Sequence, residues 1–178
     1  MAQPISAIQK QDLSWPTGLV IRARSVTDAA AITELHNLPG YRWGTMRLPY
    51  HSEEEVRRGI EQQSGDARSL VAILEDRIVG DIGLHPAKGR RAHAATVGMG
   101  VHDEFTRRGI GRALLGEAIA IADEWLNLSR LELTVYADNE PAIGLYKSFG
   151  FQVEGMMARY AFRGGAYVDA LSMARLRE

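Results

Sequence analysis

The sequence predicts a single α/β domain in which a mixed, mostly antiparallel central sheet is flanked by helices. Three observations carry that reading. Apolar residues alternate with period two in several short runs, most cleanly in Arg130-Leu131-Glu132-Leu133-Thr134-Val135. One long segment, Arg108 to Trp125, moves to three- and four-residue steps, with Ile110, Leu114, Ala118, Ile121, Ala122 and Trp125 on one face. The chain has 178 residues with no repeat, low-complexity tract or linker, which suits one domain able to bury a core without staples.

The elements follow in order. Residues 1–17 are polar, carry two prolines and show no period, so they are expected to form a flexible arm on a domain of residues 18–178, with Trp15 a docking candidate. Leu19 to Arg24 reads as a strand. Thr27 is the expected cap of a helix whose apolar face is Ala31, Ile32 and Leu35. Asn37 to Pro49 reads as a long connection rich in Gly, Pro and aromatics, and Ser52 with Glu55 forms a capping box for a second helix. Arg68 to Glu75 and Arg77 to Leu84 make a hairpin around Asp76, followed by a strand from Ala92 to Val101. After the long helix and the strand at Arg130 to Tyr136, Asn139 opens a shorter helix that stops before Gly150. Two final strands, Phe151 to Phe162 and Tyr167 to Ala174, meet at a Gly164-Gly165 turn.

Composition excludes several functions. The formal charge is -1, from 21 basic and 22 acidic side chains, so no nucleic-acid partner is expected. There is no cysteine, which removes disulfides, thiolate metal sites and a cysteine nucleophile, and the five histidines lack ligand spacing, so no metal is expected. No apolar run is long enough to span a bilayer, and Met1 to Gln11 lacks the pattern of a secretory signal. A cytoplasmic protein with no membrane partner is expected.

Three segments carry chemistry. Arg107-Arg108-Gly109-Ile110-Gly111-Arg112 lies between a strand and a long helix. Free N–H groups at a helix start, with glycines that admit a ligand close to the backbone, make an anion site. It is neither a Walker loop nor a dinucleotide fingerprint, because Leu114 stands where the third glycine belongs. Taken alone, the segment reads equally well as a glycine-softened helix entry. Upstream, Val97-Gly98-Met99-Gly100-Val101 has two glycines in a strand, a mark of close ligand approach or of tight sheet packing. Downstream, Asn139 is a good N-cap with Pro141 in the first turn. On periodicity, Tyr146 shares a face with Ala142 and Phe149 and reads as a core tyrosine.

The run Asn139 to Phe151 resembles the N-x-x-A-I-x-L-Y-x-x-x-G-F signature of GNAT acetyltransferases. The glycine segment resembles their acetyl-CoA pyrophosphate loop, with Thr106 where that loop has Gln or Arg. The likeness runs from Leu19 to about Arg175 and narrows to bacterial L-amino-acid N-acetyltransferases of phenylalanine and methionine type. It implies acetyl-CoA as acyl donor, direct attack by the primary amine of a small molecule, a free L-amino acid first among the candidates, and a homodimer. A peptide N-terminus, a polyamine or a drug-like amine are the rival acceptors, and a non-catalytic acyl-CoA sensor is the rival class. The resemblance implies that backbone at Arg107, Arg108, Gly109, Ile110, Gly111 and Arg112 holds the diphosphate. Met99, Gly100 and Val101 would hold the pantetheine arm, with Asn139 beside it, and Tyr146 would be the general acid. Glu132, Glu154, His102 and Asp81 are candidate bases, each of which also reads as a solvated or structurally paired side chain, and a water chain is the alternative base. Tyr41 and Trp43, with Met46 and Tyr50, are candidate walls of the acceptor pocket, and Arg159, Arg42 or Arg47 candidate partners for a carboxylate. The same wall residues read equally well as rim and core of an exposed loop.

Overall fold

A computed structural model describes residues 15–177. Most of the expected arm lies outside the described residues. The elements are β1 (Val20–Ala23), α1 (Ala29–Asn37), α2 (Pro39–Gly44), α3 (Glu53–Glu61), β2 (Arg68–Leu74), β3 (Arg77–Pro86), β4 (Ala94–Val101), α4 (Ile110–Ala120), β5 (Arg130–Tyr136), α5 (Glu140–Ser148), β6 (Gln152–Arg163) and β7 (Ala166–Leu176). Seven strands form one sheet in the order β1-β2-β3-β4-β5-β7-β6. Neighbours are antiparallel except β4 and β5, which the α4 crossover makes parallel.

Turn chemistry explains both hairpins. Glu75 and Asp76 hold φ of 54° and 57°, and Gly164 and Gly165 hold 59° and 86°. Two consecutive positive φ values match the right-handed twist of the strands they join. The expected cap at Thr27 is displaced to Ser25. Ser25 forms a capping box with Asp28 over a 3₁₀ turn, Val26–Asp28, that leads into α1. Asp28 is therefore buried, and Arg22 grips both its oxygens at 2.8 Å. The long connection contains α2, started by Pro39 at its first turn, where a missing N–H costs nothing. Ser52 and Glu55 cap α3 as expected.

The core lies between the sheet and α4. Ile110, Leu114, Leu115 and Ile119 of α4 meet Leu84, Leu131 and Met173 of the sheet, all buried. Each such side chain contributes about 1.5–3 kcal/mol through removal from water. Along β5, Leu131, Leu133 and Val135 face this layer, while Glu132 and Thr134 face the other way. β6 is exposed along most of its length and irregular, with register shifts at Val153/Gly155 and Met157/Ala161.

Candidate active site

The parallel pair at the sheet centre is incomplete, and the site lies where it fails. β4 and β5 pair only through Ala94↔Arg130, Ala95↔Leu131 and Thr96↔Glu132. Beyond that point β4 still pairs with β3 as far as Val101, and β5 still pairs with β7 as far as Tyr136. Residues 97–101 and 133–136 thus face each other with edges that no strand satisfies. Alternate backbone N–H and C=O groups there are free for a ligand. A cleft of about 1300 Å³ opens at this split.

At the end of β4 the chain turns through Asp103–Phe105 into α4. Arg107 and Gly109 hold φ of 60° and 82°, and Gly109 caps α4 in the left-handed conformation. Positive-φ residues alternating with helical ones gather successive N–H groups into an anion-binding concavity, reinforced by the helix dipole. Arg107, Gly109, Ile110, Gly111 and Arg112 all line the cleft. Gly111 also serves packing, since a Cβ there would come 3.3 Å from Leu145 and 3.4 Å from Met99. Arg108 turns away, stacked 4.7 Å over Phe105 and paired with Glu75 at 2.9 Å.

α5 supplies the opposite wall. Asn139 accepts the Ala142 N–H with Oδ1 at 3.3 Å and reaches the Gly44 carbonyl with Nδ2 at 3.5 Å, so it caps α5 and ties it to α2. Tyr146 is 8% exposed, lies beside the Phe151 ring, and lines the cleft. Its hydroxyl makes no hydrogen bond to any described side chain. Burial pushes its pKa up to about 12.

At the other end, on the face covered by α1 and α2, Asp81 of β3 is held by two neighbours. Tyr41 donates its hydroxyl to Oδ1 at 2.6 Å, and His36 Nε2 lies 2.9 Å from Oδ2. All three are buried. Burial works against the Asp81 charge, but the bonds from His36 and Tyr41 outweigh it and hold the carboxyl below its usual range. Tyr41 is raised well above the ordinary phenol value by burial and by the Asp81 charge. Trp43 lines the cleft mouth, under the guanidinium of Arg163 at 4.3 Å. Arg163 also donates to the Trp43 carbonyl at 2.9 Å and pairs with Asp138.

Met99, Gly100, Val101, Asn139, Tyr146, Tyr41 and Trp43 are thus brought together with the helix-start residues. Several expected residues are not, the Arg108 side chain among them. Glu132 sits at the last register pair before the split, bound by Arg130 and by Arg91 at 2.6 Å, and lies outside the cleft lining. The Arg130 bond outweighs its partial burial and lowers its pKa, which weakens it as a base. Arg159 falls in a β6 bulge with φ of 52°; its N–H bonds Asp169 at 2.7 Å and its guanidinium stacks on Tyr167 at 4.2 Å, off the cleft. Glu154 pairs with Arg130, and His102 accepts the Glu104 N–H at 3.2 Å and meets Arg77 at 3.0 Å, so neither faces the cleft. Asp81, Met46 and Arg47 do line it. Arg24, Ser69, Gly83 and His85 line it as well, and no local pattern in the sequence marks them.

The arrangement suits a long ligand with an anionic head and an amide-bearing arm. The positive-φ turn with Arg107 and Arg112 would meet such a head, and the free strand edge would meet such an arm. At Gly98 an added Cβ would touch nothing within 4 Å, so the backbone there lies bare to the cleft.

Comparison with known proteins gives the family and the fold. The family model described as Acetyltransferase (GNAT) family matches residues 30–151. An L-amino acid N-acetyltransferase of Escherichia coli K12 is 37% identical over 160 residues, covering 89% of this chain and 98% of that one. The crystal structure of a GNAT acetyltransferase from Streptococcus pneumoniae superposes with a TM-score of 0.78 at 28% identity, over 89% of this chain and 99% of the other. A spermidine N-acetyltransferase from Vibrio cholerae, solved with CoA and spermine, has the same fold, with a TM-score of 0.80 at 24% identity over 90% and 96% of the two chains.

Proposed function

The chain belongs to the GNAT family of acetyltransferases, which use acetyl-CoA, and from that premise we propose that its acceptor is the α-amino group of a free L-amino acid. One observation carries the choice of acceptor. On the α1–α2 side of the cleft the cations Arg24, Arg47 and Arg163 outnumber the carboxylates, Asp81, which already holds two donors, and Asp138, which Arg163 pairs. A polyamine would meet repulsion there, whereas a zwitterion finds both a carboxylate and a guanidinium. The relative at 37% identity supports the same choice.

The chain's residues then divide the work. Acetyl-CoA, when bound, supplies the acetyl group as a thioester. Backbone N–H groups at Arg107 to Arg112 hold its phosphates, and the open edge of β4 from Val97 to Val101 holds its arm and offers a donor to the thioester oxygen. Asp81, register-paired with Gly100 of that edge, orients the ammonium beside it. With its carboxyl held low by His36 and Tyr41, it is a poor proton sink, and water in the open cleft carries the proton away. Tyr146 keeps its proton at neutral pH and presents the hydroxyl to the thiolate as it leaves, because burial disfavours charge on both groups.

The test is acetyl-CoA-dependent thiol release against a panel of amines. The chain has no cysteine, so it adds no background to a thiol-reactive dye. Turnover with amino acids and little with spermidine is expected. Turnover with spermidine and none with any amino acid would overturn the reading.

Two accompanying readings complete the proposal. Exposed Met156, Phe162 and Tyr167 on β6 and β7 support a homodimer through that edge, checked by light scattering. Use of acetyl-CoA supports a cytoplasmic location. No helix among the described residues is long and apolar enough to cross a membrane.

A further inference from the structure

The α1–α2 face of the sheet carries a row of small residues that runs across β2, β3 and β4. Ser69 of β2, Gly83 of β3 and Gly98 of β4 are register partners, so all three point to the same face. At Gly83 the missing side chain is replaced by the His85 ring, whose Nε2 would lie 2.5 Å from an added Cβ. At Gly98 nothing fills the space. The row is therefore a trough whose floor is bare backbone at Gly98 and the His85 ring over Gly83, and it opens into the cleft beside the free edge of β4.

Arg24 stands at the end of this trough. Its N–H bonds the Ser69 carbonyl at 2.9 Å, which fixes its backbone at the start of the row. Its Nη2 donates to Gln63 Oε1 at 2.5 Å, and Gln63 Oε1 also accepts from Ser69 Oγ at 2.8 Å. Its Nε is buried with no partner, and it forms no ion pair with any described residue. The contrast with Arg22, two residues earlier and locked to Asp28, is complete. Desolvation lowers the Arg24 pKa, and Arg47 adds to that effect. A guanidinium held by a neutral amide, partly removed from water and aimed into a cleft, is incomplete without an anion. Its planar fork matches a carboxylate.

We propose that Arg24 is the carboxylate anchor of the acceptor site, so that the enzyme selects acceptors with a free α-carboxylate and discriminates against their amides and against peptides. This deepens the amino-acid reading and rests on it. The acceptor lies along the trough over Gly98, with its carboxylate at Arg24 and its ammonium towards Asp81. Its side chain points to the apolar wall formed by Met46 and Trp43. Extension of the carboxyl into a peptide bond would remove the charge that Arg24 needs and drive the chain into Ser69 and Gln63.

The experiment compares L-phenylalanine with L-phenylalaninamide at saturating acetyl-CoA, in the wild type and in Arg24→Gln and Arg24→Lys. The wild type should favour the acid by about 100-fold in kcat/KM, as expected for loss of one partner of a desolvated charge pair. Arg24→Gln should raise KM for the acid by about that factor, leave the amide within about 2-fold, and leave KM for acetyl-CoA unchanged. Arg24→Lys should recover part of the preference. Wild-type turnover with an acid-to-amide ratio that Arg24→Gln does not alter would overturn the anchor alone. Acetyl-CoA binding with no turnover of any free amino acid would overturn the underlying acceptor reading and the anchor with it.

Discussion

Gly100→Ala measures how tightly the acceptor end is built. A Cβ at Gly100 would lie 2.1 Å from Tyr41 Cε2, 2.4 Å from Cζ and 2.8 Å from Cδ2. These are ring atoms of a side chain only 4% exposed, so no flexible end can swing aside. The ring must retreat by more than about 1 Å to regain van der Waals distance. That retreat breaks the 2.6 Å bond from Tyr41 to Asp81 and leaves the buried carboxylate with His36 alone. Overpacking costs about 1–3 kcal/mol, and loss of a hydrogen bond to a buried charged acceptor about 1.5–3 kcal/mol. The total is about 2.5–6 kcal/mol, or roughly 5–24 °C of melting temperature for a chain of this size. Urea unfolding of Gly100→Ala, Tyr41→Phe, Tyr41→Ala and the Gly100→Ala/Tyr41→Ala double variant apportions the cost. Tyr41→Phe should lose only the hydrogen bond, about 1.5–3 kcal/mol. In the Tyr41→Ala background the clash has no partner, so Gly100→Ala should add less than about 0.5 kcal/mol. If Gly100→Ala costs as much in that background as in the wild type, the collision with Tyr41 is not its cause.

Tyr146→Phe should lower kcat by about 10- to 100-fold with acetyl-CoA affinity unchanged, and an unaltered kcat would remove the acid role. Because burial raises that hydroxyl to about 12, the wild-type kcat should show no alkaline fall below about pH 10, measured by stopped assays across pH. Gly109→Glu forces a side chain into φ of 82° and places a carboxylate at the positive end of α4, so calorimetry should detect no acetyl-CoA binding. Normal binding would mean that the phosphates sit elsewhere. Asp28 is depressed by its bond from Arg22, which outweighs burial. Its stabilisation is therefore full above the unfolded carboxylate value of about 3.9 and is lost as pH falls through the lower folded value. Asp28→Asn should flatten the loss of stability across that acid window, and denaturation at pH 7, 4 and 3 would reveal a persisting slope if the pair is inert.

The two ends of the cleft differ in how far the amino-acid sequence revealed them, and the reason is the range of the interactions. The cofactor end is made of neighbours in the chain: a strand, a glycine turn and a helix start from Val97 to Arg112, then a capped helix from Asn139 to Tyr146. Each carries its own local signal of strand, turn or helix start, so spacing places the elements, while their role is what the resemblance to GNAT acetyltransferases implies. The acceptor end is made of residues from five separate elements, α1, α2, β2, β3 and β4, and from the connections between them, and their meeting depends on register. Counting outward from the two-residue turn at Glu75 and Asp76 pairs Leu74 with Arg77 and Ile73 with Ile78, and would then set Ser69 opposite Ile82. The bulge between Ala72 and Ile73 shifts that count by one, and Ser69 faces Gly83 instead. A one-residue shift exchanges the faces of a strand. Relative to β2, the bulge decides whether Asp81, Gly83 and His85 share a face with Ser69 or Ile82 and Leu84 do, and no turn residue announces it. Glu132 was misplaced for a related reason. Its alternation correctly sets it on the face away from α4, but it stands at the last paired position before β4 and β5 separate, where Arg91 and Arg130 close around it. Thr134, two residues on and past the split, is the β5 side chain on that face that reaches the cleft. Alternation reports which face a residue takes, whereas the point at which two strands part company is set by elements outside both.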